Sequence, residues 1–259
     1  MSVQSFLAPI TGQTAVIDLP DAENWMQGRT LYGGASALIA YTHAIRAFTD
    51  LPPLRAAQVG FVAPVGGRVE LQAEIVRQGR SVTQLRSELY QDGALALTAF
   101  FLFAEPRKPN ALYPTRKPSD FPPPAEESED VMSDKGPSFL RNNFEIRRAQ
   151  NVSGPGEPVV RRWARLKNRK ELDPISELIL LGDVLPPGAM RAMQRQGPIS
   201  SINWSFNLLE TNPQTEDGWW VSENASQHAN NGYSSERLRL WNSEGQQVID
   251  GLQSVAIFG

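Results

Sequence analysis

The chain has 259 residues, a formal net charge of −3, two histidines and no cysteine. The lack of cysteine excludes disulfides, thiolate metal sites and a cysteine nucleophile, and a charge so close to zero offers no global attraction for nucleic acid. No apolar run approaches the roughly 18 residues of a membrane span, and Met1-Ser2-Val3-Gln4-Ser5-Phe6 lacks the basic region and apolar core of a signal peptide, so neither a membrane nor nucleic acid is expected as a partner and the cytoplasm is the expected compartment.

The first predicted element is a helix from Gly34 to about Phe48. Only His43 and Arg46 carry acidic or basic side chains between Gly33 and Asp50, so this helix should be buried on most sides. Strands follow at Ala57–Val65, Arg68–Gln78, Ser81–Tyr90 and Ala94–Ala104, with Gln91-Asp92-Gly93 as a hairpin turn. The stretch from Glu105 to Pro137 is rich in proline and then acidic, through Glu126-Glu127-Ser128-Glu129-Asp130. Proline fixes φ and removes a backbone donor, so an extended, partly mobile surface connector is expected there. Beyond it, Phe144–Ala149 and Val159–Lys167 read as strands. Asp173-Pro174 reads as a helix start, an oxygen-bearing cap followed by proline where its missing N–H is harmless, with the helix ending near Pro186-Pro187. Strands then follow at Ile199–Leu208, Trp219–Gln227, Ser234–Trp241 and Gln247–Phe258.

Residues 33–104 and 173–258 thus repeat one pattern. Ser36-Ala37-Leu38-Ile39 leads to His43, and Ser176-Glu177-Leu178-Ile179 leads at the same distance to Asp183. In the last strand of each copy, Phe101 of the first stands where Gln253 stands in the second. A lone sheet must cover its apolar face, and curling it around the single apolar helix is the economical solution. The expected fold is α+β, a double hotdog: two tandem copies of a long antiparallel sheet wrapped around a central helix. The expected units are 1–105, a linker over 106–137, and 138–259.

Chemistry should sit where the copies differ. Asp183 lies in Leu178-Ile179-Leu180-Leu181-Gly182-Asp183-Val184-Leu185, where an unpaired buried carboxylate is costly and a helix C-terminus disfavours negative charge. Gln253 shares strand parity with Ile249, Gly251, Val255 and Ile257, which places an amide on the face toward the helix, where it needs a partner. Ser201 falls in phase with Asn203, Ser205 and Asn207, opposite Ile202, Trp204, Phe206 and Leu208, a position that by itself reads as solvent-facing. Gly33 and Gly34 follow Leu31-Tyr32 at a helix start, where bare backbone lets a ligand approach free N–H groups able to polarise a carbonyl. The basic series Arg161, Arg162, Arg165, Lys167, Arg169, Lys170 reads as a solvated face. Neither histidine has an acid or nucleophile at motif spacing, and no phosphate loop or Gly-x-Ser-x-Gly elbow is present.

With Tyr32-Gly33-Gly34, Phe61-Val62-Ala63-Pro64, Gly182-Asp183, Ser201-Ile202-Asn203 and Leu252-Gln253 in this order, the chain resembles the tandem-hotdog acyl-CoA thioesterases, the thioesterase II-like superfamily. The resemblance covers nearly the whole chain. It implies hydrolysis of an acyl-CoA substrate to free acid and CoA without a cofactor or metal, with Asp183, Ser201 and Gln253 holding the attacking water. It also implies a homodimer or higher homo-oligomer and a place in fatty acid metabolism. Two departures stand out: Asn203-Trp204 replaces a frequent aspartate-histidine pair, and serine replaces a frequent threonine. They motivate an alternative reading as a non-catalytic acyl-CoA or acyl-chain binding protein. A hotdog hydratase or dehydratase would need a histidine beside the substrate, which neither histidine's setting provides.

Overall fold

The computed structural model describes residues 3–19, 22–132, 136–150, 156–170 and 172–258; Met1, Ser2 and the linker residues 133–135, on which the sequence reading also drew, lie outside them. The first half contains α1 (Gln4–Leu7), β1 (Thr14–Asp18), β2 (Met26–Gln27), β3 (Thr30–Leu31), α2 (Gly33–Ala47), β4 (Leu54–Phe61), β5 (Arg68–Gln78), β6 (Val82–Gln91) and β7 (Ala94–Ala104). The second contains α3 (Ser138–Asn143), β8 (Phe144–Arg148), β9 (Val159–Leu166), α4 (Pro174–Gly182), β10 (Ile199–Leu208), β11 (Trp220–Asn230), β12 (Tyr233–Trp241) and β13 (Gln247–Ile257).

Eleven of these strands form one antiparallel sheet in the order β1-β5-β6-β7-β4-β10-β13-β12-β11-β9-β8. Its middle is the seam between β4 and β10, where Val59 opposes Trp204 and Ala57 opposes Phe206. Outward from that seam the order is β7, β6, β5 on one side and β13, β12, β11 on the other. In each half, then, the last strand lies beside the strand that follows the half's long helix, β7 beside β4 and β13 beside β10. The turns between strands fall where the chain can adopt positive φ, as at Asp92-Gly93 and Asn231-Gly232.

Helix α2 is buried from Gly34 through Ala44, as its lack of charge requires. It lies against β5, β6 and β7 and beside α4. Helix α4 starts as its sequence predicts, with the Asp173 carboxylate accepting from the Ile175 and Ser176 amides, each at 3.0 Å, and Pro174 in its first turn. It ends at Gly182, earlier than the expected Pro186-Pro187. A proline ring collides with the carbonyl four residues back, which for Pro186 is that of Gly182. Strand β4 also stops early, at Phe61. The Val62 and Ala63 amides both bond the Ala96 carbonyl, at 2.9 and 3.0 Å, and turn the chain away.

The proline-rich stretch is more than a tether. Phe121 and Ala125 pack with Ala149, Trp163, Trp219, Val221 and Trp241 in a second, smaller core. Trp163 donates its indole N–H to the Pro123 carbonyl at 3.0 Å, and Arg161 reaches Asp120 at 2.8 Å. Three tryptophans on an outer sheet face would leave a large apolar patch in water; the strap covers them. Two members of the basic series face acids: Arg161 is also paired to the buried Glu223, and Arg165 is paired to Glu145.

Candidate active site

Asp183 is the residue at which α4 stops, and the early end of that helix frees its side chain to turn toward β13. There Gln253 donates its amide N–H to Asp183 Oδ1 at 2.8 Å. Gln253 is buried, on the face shared with Ile249, Gly251 and Val255, so strand parity placed it correctly and Asp183 is its partner. The Asp183 residue keeps some contact with solvent, but its carboxyl end is enclosed. Burial pushes the carboxyl up from 3.8 to about 7, opposed by the Gln253 hydrogen bond, which favours the charged form.

The other carboxylate oxygen meets the first half of the chain. A Cβ placed on Gly33 would lie 2.3 Å from Asp183 Oδ2 and 3.2 Å from the Phe61 ring. Only glycine fits there. Gly33 opens α2, whose first amides have no partner inside the helix, so the positive end of α2 sits against a carboxylate that the negative end of α4 disfavours. Gly34 packs differently: the space of its missing side chain is taken by the Tyr32 hydroxyl and the Leu180 carbonyl. Tyr32 donates to that same carbonyl. Burial, then the charge of Asp183, raise the tyrosine's pKa well above its ordinary value.

Ser201 requires a correction. Counting along the strand put it on the solvent face, but β10 carries a bulge: Ser201 opposes Val255, whereas Asn203 opposes the adjacent Ser254. The extra residue reverses the alternation. Ser201 therefore shares the face of Val255, Gln253 and Trp204, and Ile202 is the residue turned partly to solvent. Asn203 stabilises the irregularity, its side-chain oxygen accepting from the Ser254 amide at 3.0 Å. Among the described residues, no hydrogen bond joins the Ser201 hydroxyl to Asp183 or Gln253.

One buried carboxylate beside the site escaped the sequence reading. Glu236, on β12, lies directly opposite Gln253 and is fully buried. It accepts from the Gly188 amide at 2.8 Å, the Ala189 amide at 3.3 Å and the Ser234 hydroxyl. It thereby fixes the turn that follows Asp183 and its two prolines. Its signal was present in the sequence, since Glu236 falls in phase with Leu238 and Leu240.

Family models match most of the chain: an acyl-CoA thioesterase N-terminal domain over residues 21–104 and an acyl-CoA thioesterase C-terminal domain over residues 117–257. The chain belongs to the acyl-CoA thioesterase family. It is by that membership a thioester hydrolase, and its α+β architecture is that of hot dog proteins. Among solved structures it is similar to a conserved hot dog protein of unknown function from Alicyclobacillus acidocaldarius, at a TM-score of 0.83 and 18% identity over 96% of this chain and 94% of that one. It is similar to the tesB protein of Mycobacterium avium subs paratuberculosis, at 0.77 and 19% over 100% of both chains. It is also similar to acyl-CoA thioesterase II TesB2 of Mycobacterium marinum, at 0.76 and 13% over 98% and 97%. No curated protein sequence matches it.

The two matched domains lie in tandem. His43, which the sequence pattern aligns with Asp183, lies in the first of them. His43 is buried in the middle of α2, which runs on past it, with Nδ1 3.2 Å from the Ser87 hydroxyl. Burial lowers its pKa. Phe101, the counterpart of Gln253, is buried against Tyr41 and Phe103. Among the described residues no group of acidic, histidine or cysteine side chains could hold a metal, and no helix is long and apolar enough to cross a membrane.

Proposed function

We propose that the chain hydrolyses an acyl-CoA thioester at Asp183, Ser201 and Gln253. The observation that carries this reading is the Asp183 carboxylate, held by Gln253 at 2.8 Å and raised by burial to about 7. A general base works best when its pKa lies near the working pH. Asp183 takes a proton from water as the water oxygen attacks the thioester carbonyl. Gln253 and Ser201 fix the direction of approach, and orientation alone is worth several kcal/mol, of the order of ~7 in favourable cases. The free amides at the start of α2, at Gly33 and Gly34, stabilise the oxyanion of the tetrahedral intermediate. As the intermediate collapses and the carbon–sulfur bond breaks, the protonated Asp183 returns its proton to the departing thiolate. No covalent enzyme intermediate is needed.

In this reading the two halves are two hotdog units, 1–105 and 138–259, joined through 106–137 and sharing one sheet; the order of strands about the β4–β10 seam supports it. The sheet edge at β1 favours a homodimer or larger homo-oligomer, whereas the β8 edge is bridged by Asp130. A cytoplasmic place in fatty acid metabolism goes with an acyl-CoA substrate. The test is thiol release from acyl-CoA substrates by the parent chain and by Asp183→Ala. The parent releases thiol, and the variant is slower by about 100-fold or more. Unchanged turnover in the variant rejects the assigned role.

A further inference from the structure

We infer that Trp204 walls off the acyl side of this site and restricts the substrate to short or compact acyl groups. This rests on the reading that the thioester carbonyl is attacked beside Asp183.

Trp204 lies on β10 directly opposite Gln253 on β13, with its side chain on the same face, and is completely buried. Its ring is pressed under the last residue of α4. A Cβ placed on Gly182, the neighbour of Asp183, would lie 2.3 Å from Trp204 Cζ2 and 2.5 Å from Cη2. The indole therefore fills the gap between the end of the helix and the sheet. Phe206 extends the barrier, with its ring centroid 4.4 Å from that of Trp204 at an angle of 33°. An apolar chain attached to a carbonyl at Asp183 leaves water by sliding between α4 and the sheet, and this is the space the two rings occupy. Phe61 also borders the site, its ring 3.2 Å from where a Cβ on Gly33 would stand. Neither the Asp183–Gln253 hydrogen bond nor the α2 N-terminus uses the indole. Its N–H has no hydrogen-bond partner among the described residues, so smaller apolar residues can replace it without losing a hydrogen bond.

The test uses an acyl-CoA series from acetyl to palmitoyl, together with the matching thioether analogues, which cannot be hydrolysed. Thiol release gives kcat/KM and calorimetry gives affinity, for the parent and for Trp204→Phe, Trp204→Leu and Trp204→Ala, each checked for cooperative thermal unfolding. In the parent, kcat/KM and thioether affinity are highest for short acyl groups and fall as the chain lengthens. Trp204→Leu and Trp204→Ala move both optima to longer chains, each added methylene gaining about fourfold until the new space is filled, and Trp204→Phe moves them least. If Trp204→Ala does not fold, the Phe and Leu variants still give the graded shift. A parent that binds the palmitoyl thioether as tightly as the butyryl one overturns the inference. So does an unshifted profile in folded Trp204→Leu, or no acyl binding at all. Thioether binding that follows the expected ladder without any thiol release would retire the hydrolase reading and uphold the role of Trp204.

Discussion

Replacing Asp183 by asparagine should abolish catalysis and stabilise the protein at the same time. The carboxyl titrates at about 7 in the folded chain against an ordinary value of 3.8. The folded state therefore binds a proton more tightly than the unfolded state, and stability falls as pH rises between those two values. Below 3.8 both states hold the proton and the penalty is absent; above about 7 it is fully developed and constant. Each pH unit in that window corresponds to about 1.4 kcal/mol, so the ceiling is ~4 kcal/mol. Residual solvent contact at Asp183 screens part of this, and about 2 kcal/mol is the figure to test. Asparagine keeps the shape, and with both amides rotated Asn-for-Asp donates to the Gln253 oxygen while its own oxygen faces the start of α2. Urea unfolding followed by tryptophan fluorescence should show Asp183→Asn more stable by about 2 kcal/mol near pH 8 and equal to the parent near pH 4. The parent's kcat/KM should rise about tenfold per pH unit toward a plateau above neutrality, as the base ionises. A variant less stable than the parent near pH 8, or one with the same advantage at both pH values, would refute the argument from desolvation.

Gly33→Ala places a methyl group 2.3 Å from Asp183 Oδ2, so the carboxylate must move and thiol release should drop about 100-fold; near-parent turnover would mean the carboxylate is not held against α2. Gln253→Leu removes the hydrogen bond that favours the charged carboxylate, so the acidic limb of the pH–rate profile should move to higher pH and the plateau fall about 10–100-fold. An unmoved limb would detach Gln253 from the base. Glu236→Ala leaves the Gly188 and Ala189 amides without their acceptor and should destabilise the chain by about 2–4 kcal/mol in urea unfolding. A loss below about 0.5 kcal/mol would show that the turn after Asp183 is held by other contacts.

The helices and most strands could be read from the sequence because their signals are local. A chargeless stretch marks α2, an aspartate and proline mark the start of α4, and alternation marks β5 and, less regularly, β13. The same alternation placed Gln253 correctly and Ser201 wrongly. A bulge is invisible to parity: nothing in Ser201-Ile202-Asn203 announces that an extra residue will be accommodated, and only the Asn203 bond to the Ser254 amide shows how. The contact between Gly33 and Asp183 was also out of reach, since it joins residues far apart in sequence through the packing of two helices. The two glycines could be seen as bare backbone at a helix start, but not that one faces a carboxylate and the other a tyrosine. The tryptophans under the strap lie far from it in sequence, so its grip on the sheet emerges only in three dimensions.

The carboxylate and the glycine that meets it come from opposite halves of the polypeptide. A mirrored arrangement about the β4–β10 seam would set the start of α4 against the middle of α2, bringing Asp173 toward His43. There Asp173 caps its own helix and His43 bonds Ser87, so that corner is committed to architecture. Under the proposed reading, each chain is therefore left with one reaction centre. Titration with a tight thioether should accordingly saturate at one equivalent per chain.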